Sequence, residues 1–272
     1  MNLLGALVAA IGSALSAALS SVLHHRAGVR HGGIAIVLRP MWLSGTAVSA
    51  GGVALHTLAL RWGQLSVVQP VLVSGLLFAL PMSALLDRRR VRLAQLGWAG
   101  VVVAGLALFL ASARPTVGRS VADPGVLALG GGLVLLIATV ALGVGMRRRR
   151  HRAVLWALAG GCGYGLTSAL LKQSVGLLAL GMPQVLSSWP VYALLAVGPA
   201  SVAANQAAFN AGPLASSLPM LTIADPVVAV VLGAVVFGEQ TASAPVSVVV
   251  QVLGFMVMTG GVVALTRPAT GH

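Results

Sequence analysis

The chain has 272 residues, of which 58% are hydrophobic and only 8% charged, and its formal net charge is +13. An ordinary soluble domain carries about 25% charged residues, so a water-exposed globule is excluded. The arginines sit in short breaks between apolar runs without interleaved aromatics, which excludes nucleic acid as a partner and points to lipid headgroups.

Cys162 is the single cysteine, so no disulfide framework, thiolate metal cluster or redox pair is expected, and no cofactor is called for. The first apolar run, Leu3 to Leu23, follows Met1-Asn2 directly. It lacks the positive segment that opens a cleavable signal peptide and reads as a first membrane helix. Further runs follow at Ile34 to Leu60, Leu65 to Leu86, Ala94 to Ala113, Pro124 to Gly145, Ala153 to Leu180, Val185 to Phe209, Pro213 to Phe237 and Pro245 to Thr266. Each is long enough to cross a hydrocarbon core of about 30 Å. The expected fold class is an all-α integral membrane protein of about nine transmembrane helices, with antiparallel neighbours joined by short loops.

Alternating the loops between two sides sorts the arginines. One side collects Arg26, Arg30, Arg39, Arg88 to Arg90, Arg92, Arg147 to Arg150, Arg152 and Arg267; the other collects Arg61, Arg114 and Arg119. The positive-inside rule then predicts an outside N-terminus and an inside C-terminus. Arginine in place of lysine, with abundant Ala, Val and Gly, suggests a GC-rich bacterial genome and hence the cytoplasmic (inner) membrane.

An internal repeat is visible. Gly63-Gln64-Leu65-Ser66 leads to Pro70, and Gly212-Pro213-Leu214-Ala215 leads to Pro219 with the same spacing. Each is followed by an apolar run that ends in an acid, Asp87 or Glu239. Leu15-Ser16-Ala17-Ala18-Leu19 pairs more loosely with Leu166-Thr167-Ser168-Ala169-Leu170. Residues 1–146 form the expected first unit, of five helices, and residues 147–272 the second, of four. The odd number of crossings between their starts makes the repeat inverted, a common construction in secondary transporters.

Ala207-Ala208 to Gly212, the proline-containing helix and the terminal Gly238-Glu239 resemble the EamA repeat of the drug/metabolite transporter superfamily. Met41-Trp42-Leu43-Ser44-Gly45, Leu166-Thr167 to Lys172 and Asn205-Gln206-Ala207 are more closely similar to NIPA-type magnesium transporters and their bacterial relatives. The resemblance covers nearly the whole chain, with one helix fewer than the ten-helix members have. It implies transport without fixing the cargo.

Asp225 is the sharpest candidate, near the centre of an apolar run and followed by Pro226. An Asp at a bilayer-centre position costs about 3 kcal/mol, so such residues face a cavity or a partner and often mark ion or proton pathways. The alternative is a protonated carboxyl hydrogen-bonded to a neighbouring helix. Pro226 lacks an N–H and should loosen its helix there, exposing carbonyls or merely making a packing kink. Lys172, the single lysine, either pairs with Asp225 or snorkels from a helix end.

Asn205, Gln206 and Asn210, with His56, Gln64 and Gln69 in the first unit, either contact cargo or bridge helices. Tyr164 lies deep among Gly160, Gly161, Gly163 and Gly165, which leave room for a cavity but form no phosphate loop. Tyr164, Trp42 and Trp189 are candidate cargo contacts, with interfacial anchoring the alternative for the two Trp residues near helix ends. Asp87 reads as a solvated helix-end charge salt-bridged locally with Arg88 to Arg90, and Glu239 as either a solvated end charge or an outer cation-attracting group, the solvated reading being favoured for both.

These features favour a secondary transporter of a small solute or metabolite, with proton coupling through Asp225 as an extension. One alternative is a magnesium or other divalent-cation transporter, with Asp225 as the carboxylate ligand and Asn205, Gln206 and Thr222 as neutral ones. Another is a membrane protein of structural or regulatory role. A lipid enzyme is set aside, since four scattered acids supply no paired carboxylates or His-acid couple. The expected partners are the lipid bilayer and a small-molecule or ion substrate, with a homodimer left open.

Overall fold

The computed structural model describes residues 2–30, 40–75, 78, 82, 93–113, 118–211, 214–240 and 244–266. Among the described residues the chain is helical, without a strand. The helices are α1 (Leu3–Arg30), α2 (Pro40–Trp62), α3 (Leu65–Val73), α4 (Leu93–Ala113), α5 (Pro124–Arg147), α6 (Arg152–Leu178), α7 (Trp189–Ala211), α8 (Leu214–Phe237) and α9 (Pro245–Thr266). A 3-10 turn at Arg149–His151 precedes α6, and a short helix, Met182–Ser187, precedes α7.

Six helices, namely α1, α2, α5, α6, α7 and α9, are long and apolar enough to cross a membrane, while α4 and α8 carry shorter apolar stretches at Gly97–Phe109 and Ile223–Phe237. This is an all-α protein built of membrane-type helices. Helix α5 shows the solvent it is built for. Leu129, Leu133, Leu136 and Val140, at helical spacing, are exposed along one face, while Leu127, Gly131, Val134, Ala138 and Ala141 are buried along the other. A surface helix in water would put charge on the outer face; an apolar outer face fits lipid.

Local chemistry sets the helix ends. The Asp123 carboxylate caps α5, accepting from Gly125 N at 2.8 Å and Val126 N at 3.1 Å, and Pro124 occupies the first turn, where no N–H is needed. The expected run from Val185 to Phe209 is interrupted instead. Gly181 has a φ of +114°, Pro183 starts a six-residue helix, and Ser188 is extended before α7 begins. Prolines near the start of both pieces favour two helix starts over one long helix.

Helix α6 is the centre of the bundle, packed on α2, α3, α5, α7 and α8. Its small residues allow this. A Cβ at Gly161 would lie 2.7 Å from Ala224 Cβ, and one at Gly165 would lie 2.7 Å from the Asp225 carbonyl oxygen. The spacing Gly161-x-x-x-Gly165 thus brings the α8 backbone against α6, as small residues do between membrane helices. Towards α7, Gly160 makes room for Asn205 and Gly163 for Ser201. Helices α4 and α9 meet through a reciprocal contact, with Gly105 against the Gly254 carbonyl and Gly254 against that of Gly105.

Among the described residues, two sets of arginines lie at opposite ends of the bundle. Asn2, Arg61, Arg119 and Ala179 line one cavity, so the start of α1 and the ends of α2 and α6 share one end with the loop before α5. The exposed Arg147 to Arg150 lie at the far end of α5. The structure therefore separates Arg61 and Arg119 from the Arg147 cluster, as the loop alternation expects. Arg39, Arg88 to Arg90, Arg92, Arg114, Arg267 and Asp87 lie outside the described residues, as do the side chains of Arg26 and Arg30.

Candidate functional site

Two polar groups lie inside the bundle. The first surrounds the glycines of α6. Asp225, on α8, has its backbone against Gly161 and Gly165, and its Oδ1 is buried without a hydrogen-bond partner. Asn205, from α7, is 2% exposed, and both its Oδ1 and Nδ2 are buried and unpartnered. Tyr164, on α6, lies beside the Asn205 amide without completing a well-formed hydrogen bond to it, and lies near Asp225. Ser217, fully buried on α8 with its hydroxyl unpartnered, lies about two turns away from Asp225 along the helix, about 12 Å at 1.5 Å per residue, and so outside this group.

Unsatisfied polar atoms at such depth are expensive, about 1–3 kcal/mol each from mutational data. A cluster of them is therefore a place where water or a bound solute would complete the hydrogen bonding. Helix α8 continues through Pro226, which is buried. Pro226 still withholds the N–H that the Thr222 carbonyl would otherwise receive. The Thr222 side chain lies outside the described residues, as do those of Asn210 and Trp42.

The second group closes one end of α6, and sequence reasoning missed its key member. Glu239 is not a solvated end charge; it is 4% exposed. Gly238, at φ +63°, turns the chain out of α8, and the Glu239 N–H donates back to the Gly233 carbonyl at 2.9 Å. Glycine permits that left-handed turn without Cβ strain. The carboxylate then enters the N-terminus of α3. Oε1 accepts from Leu65 N at 2.7 Å and Oε2 from Ser66 N at 2.9 Å.

Lys172 Nζ donates to the same Oε1 and lies 4.8 Å from the centre of the Phe237 ring. The ion pair of Lys172 is thus with Glu239 and not with Asp225. Helix geometry gives the reason. Asp225 packs at the level of Gly161 and Gly165, and Lys172 lies two turns beyond Gly165, about 10 Å along the axis at 1.5 Å per residue. Snorkelling is also ruled out, because α6 continues to Leu178 and Lys172 is 6% exposed.

The carboxylate serves α3 twice over. Gln64, at the α3 N-cap, makes no side-chain cap bond. Glu239 supplies that bond and places negative charge at the positive end of the helix. The loop over this end is fixed as well. Gln173 accepts from Ala122 N at 2.8 Å and donates to Ala122 O at 3.2 Å, and Arg119 N donates to Phe237 O at 2.8 Å. The clue in the sequence was scarcity: one lysine, placed inside an apolar run, needs one of four acids.

The other candidates are distributed around these groups. His56 on α2 and Gln69 on α3 each contribute a buried, unpartnered ring or amide nitrogen, and Gln206 is exposed. Trp189 is 41% exposed at the start of α7, as suits an interfacial anchor. Among the described residues, no group of three His, Cys, Asp or Glu side chains is placed to hold a metal.

No family model matches the sequence, and no solved structure matches the fold. The chain is similar to an uncharacterized protein of Corynebacterium glutamicum, 31% identical over 288 residues that cover 99% of this chain and 96% of the relative.

Proposed function

We propose that this chain, which belongs to the same family as the corynebacterial protein, is a secondary transporter that moves a small solute across the cytoplasmic membrane by alternating access. The observation that carries the reading is the pair of buried polar side chains Asp225 and Asn205, both with unpartnered atoms, beside the α6 glycines. Such groups in a membrane helix bundle usually face a pathway, and here they come from the helices that pack on α6.

The packing pattern supports an inverted repeat of nine crossings. Helix α1 packs on α2 as α6 packs on α7, while α3 pairs with α8 and α4 with α9. A two-fold axis relating the units exchanges the first two pairs and maps each of the last two onto itself. Gly105 and Gly254, which touch reciprocally, are separated in sequence by the same interval as Gly63 and Gly212. The resemblance to the drug/metabolite transporter superfamily agrees with this arrangement. In this reading Asp225 carries the coupling proton, and the Arg61–Arg119 end faces outside.

Reconstitution in proteoliposomes tests the proposal. A panel of labelled solutes is expected to include at least one that exchanges in a protein-dependent manner, with exchange lost in Asp225→Asn and Asn205→Ala. Absence of exchange across a panel of sugars, amino acids, organic acids, amines and divalent cations would leave the chain a structural or regulatory membrane protein.

A further inference from the structure

The cavity over the Lys172 end has a volume of about 590 Å³, within the range of small-molecule sites. Arg61 and Arg119 are exposed at its wall, and Lys172 and Gln64 also line it. Lys172 is held by the Glu239 carboxylate, and Arg61 and Arg119 add two further cations to the cavity wall. Asp123, the other acid of this end, is committed to the α5 cap. Gln64 is 3% exposed, and its Nε2 is a buried donor without a partner.

We propose that this vestibule binds a small organic anion through a carboxylate group, and that the anion's carboxylate competes with Glu239 for Lys172 and the α3 N-terminus. The inference rests on the transporter reading for its purpose, though not for its chemistry. The Leu65 and Ser66 N–H groups and the Lys172 ammonium form a cradle that takes both oxygens of one carboxylate. Glu239 occupies it as a tethered anion on a chain turned by Gly238. Any free carboxylate that reaches the cradle meets the same donors, and the spare Gln64 amide adds one that Glu239 does not use.

Arg61 and Arg119 supply the capture step. Guanidinium groups bind carboxylates through two parallel N–H bonds, and an excess of positive charge around a concave site raises the local anion concentration. Displacement of Glu239 would also release the α8 end from α3, so anion binding at this end is coupled to the contact between the two units.

The test uses the purified full-length protein in nanodiscs of zwitterionic lipid, with succinate as probe, succinamide as its neutral isostere, and sodium chloride to match ionic strength. Succinate is expected to raise the melting temperature saturably, and succinamide to leave it unchanged. Glu239→Ala, which removes the tethered competitor, should bind succinate about tenfold more tightly, and Arg61→Gln with Arg119→Gln about tenfold more weakly. If Glu239→Ala does not fold, Glu239→Gln replaces it, with tighter succinate binding again expected.

Failure of succinate, acetate and benzoate alike to stabilise the wild type overturns the inference. So does stabilisation that neither the Glu239 nor the arginine changes alter. Transport in proteoliposomes is read separately. Succinate binding without exchange of any solute overturns the transporter reading and leaves the anion site standing, while exchange of a neutral solute without anion binding does the reverse.

Discussion

The two polar groups beside α6 differ in one respect that matters more than their composition. At the Glu239 end the carboxylate receives two backbone N–H bonds and a lysine, so the buried charge is paired and hydrogen-bonded. At the Asp225 level one carboxylate oxygen and both polar atoms of Asn205 are left without partners. A satisfied network holds helices in one arrangement; an unsatisfied one costs stability and persists where something else is to bind. The contrast predicts that splitting the Lys172–Glu239 pair acts mainly on folding, whereas substitutions at the Asp225 level act mainly on function.

The largest effect is expected from splitting the ion pair. Lys172→Met leaves Glu239 buried without its cation and should cost about 3–5 kcal/mol, read as a large fall in melting temperature or in yield of folded protein. Adding Glu239→Gln should recover part of the loss, because the amide oxygen can still accept from Leu65 or Ser66. Equal destabilisation of the single and double variants would break the distinction drawn between the two groups. Next in size is Gly165→Ala. Its Cβ would sit 2.7 Å from the Asp225 carbonyl oxygen, so α6 and α8 must separate. About 1–3 kcal/mol is expected from overpacking, measured by thermal unfolding.

A smaller loss should follow Gln173→Leu, which leaves the Ala122 N–H and C=O without the Gln173 amide. Two bonds of ordinary strength amount to about 1–3 kcal/mol, with the lower part of that range expected where water reaches the loop. Protease accessibility of the loop before α5 would rise in the variant. An unchanged digestion pattern would show that the loop is held by its other contacts, among them Arg119 N to Phe237 O.

Much of the fold is legible in the sequence because hydropathy and helix caps are local signals. Pro124 and Pro245 start helices where the apolar runs start, and Phe237 ends one immediately before Gly238. The central placement of α6 is legible too, since Gly160, Gly161, Gly163 and Gly165 permit close packing on more than one side. The partner of Lys172 is not. Whether a carboxylate at the end of an apolar run faces water or turns inward depends on Gly238 and on an uncapped α3 start from the other half of the chain. Neither residue reports that contact alone, and Asp225 looks the nearer partner until the two helical turns between Gly165 and Lys172 are counted.

The smallest expected change in stability carries the sharpest test of function. Asp225→Asn preserves shape while replacing a carboxylate by an amide, at a site where Oδ1 already lacks a partner. Removing an ionisable group from apolar surroundings should leave stability within about 1 kcal/mol of the wild type, or raise it. If Asp225 handles the proton or the solute, solute exchange in proteoliposomes should fall by at least about tenfold with folding intact, and its pH dependence should disappear. If stability falls as far as in Lys172→Met, Asp225 is a structural carboxyl and the unpartnered cluster loses its claim to be a site. A variant that stays folded but no longer transports would instead assign stability to the Glu239 end and transport to the level of Asp225.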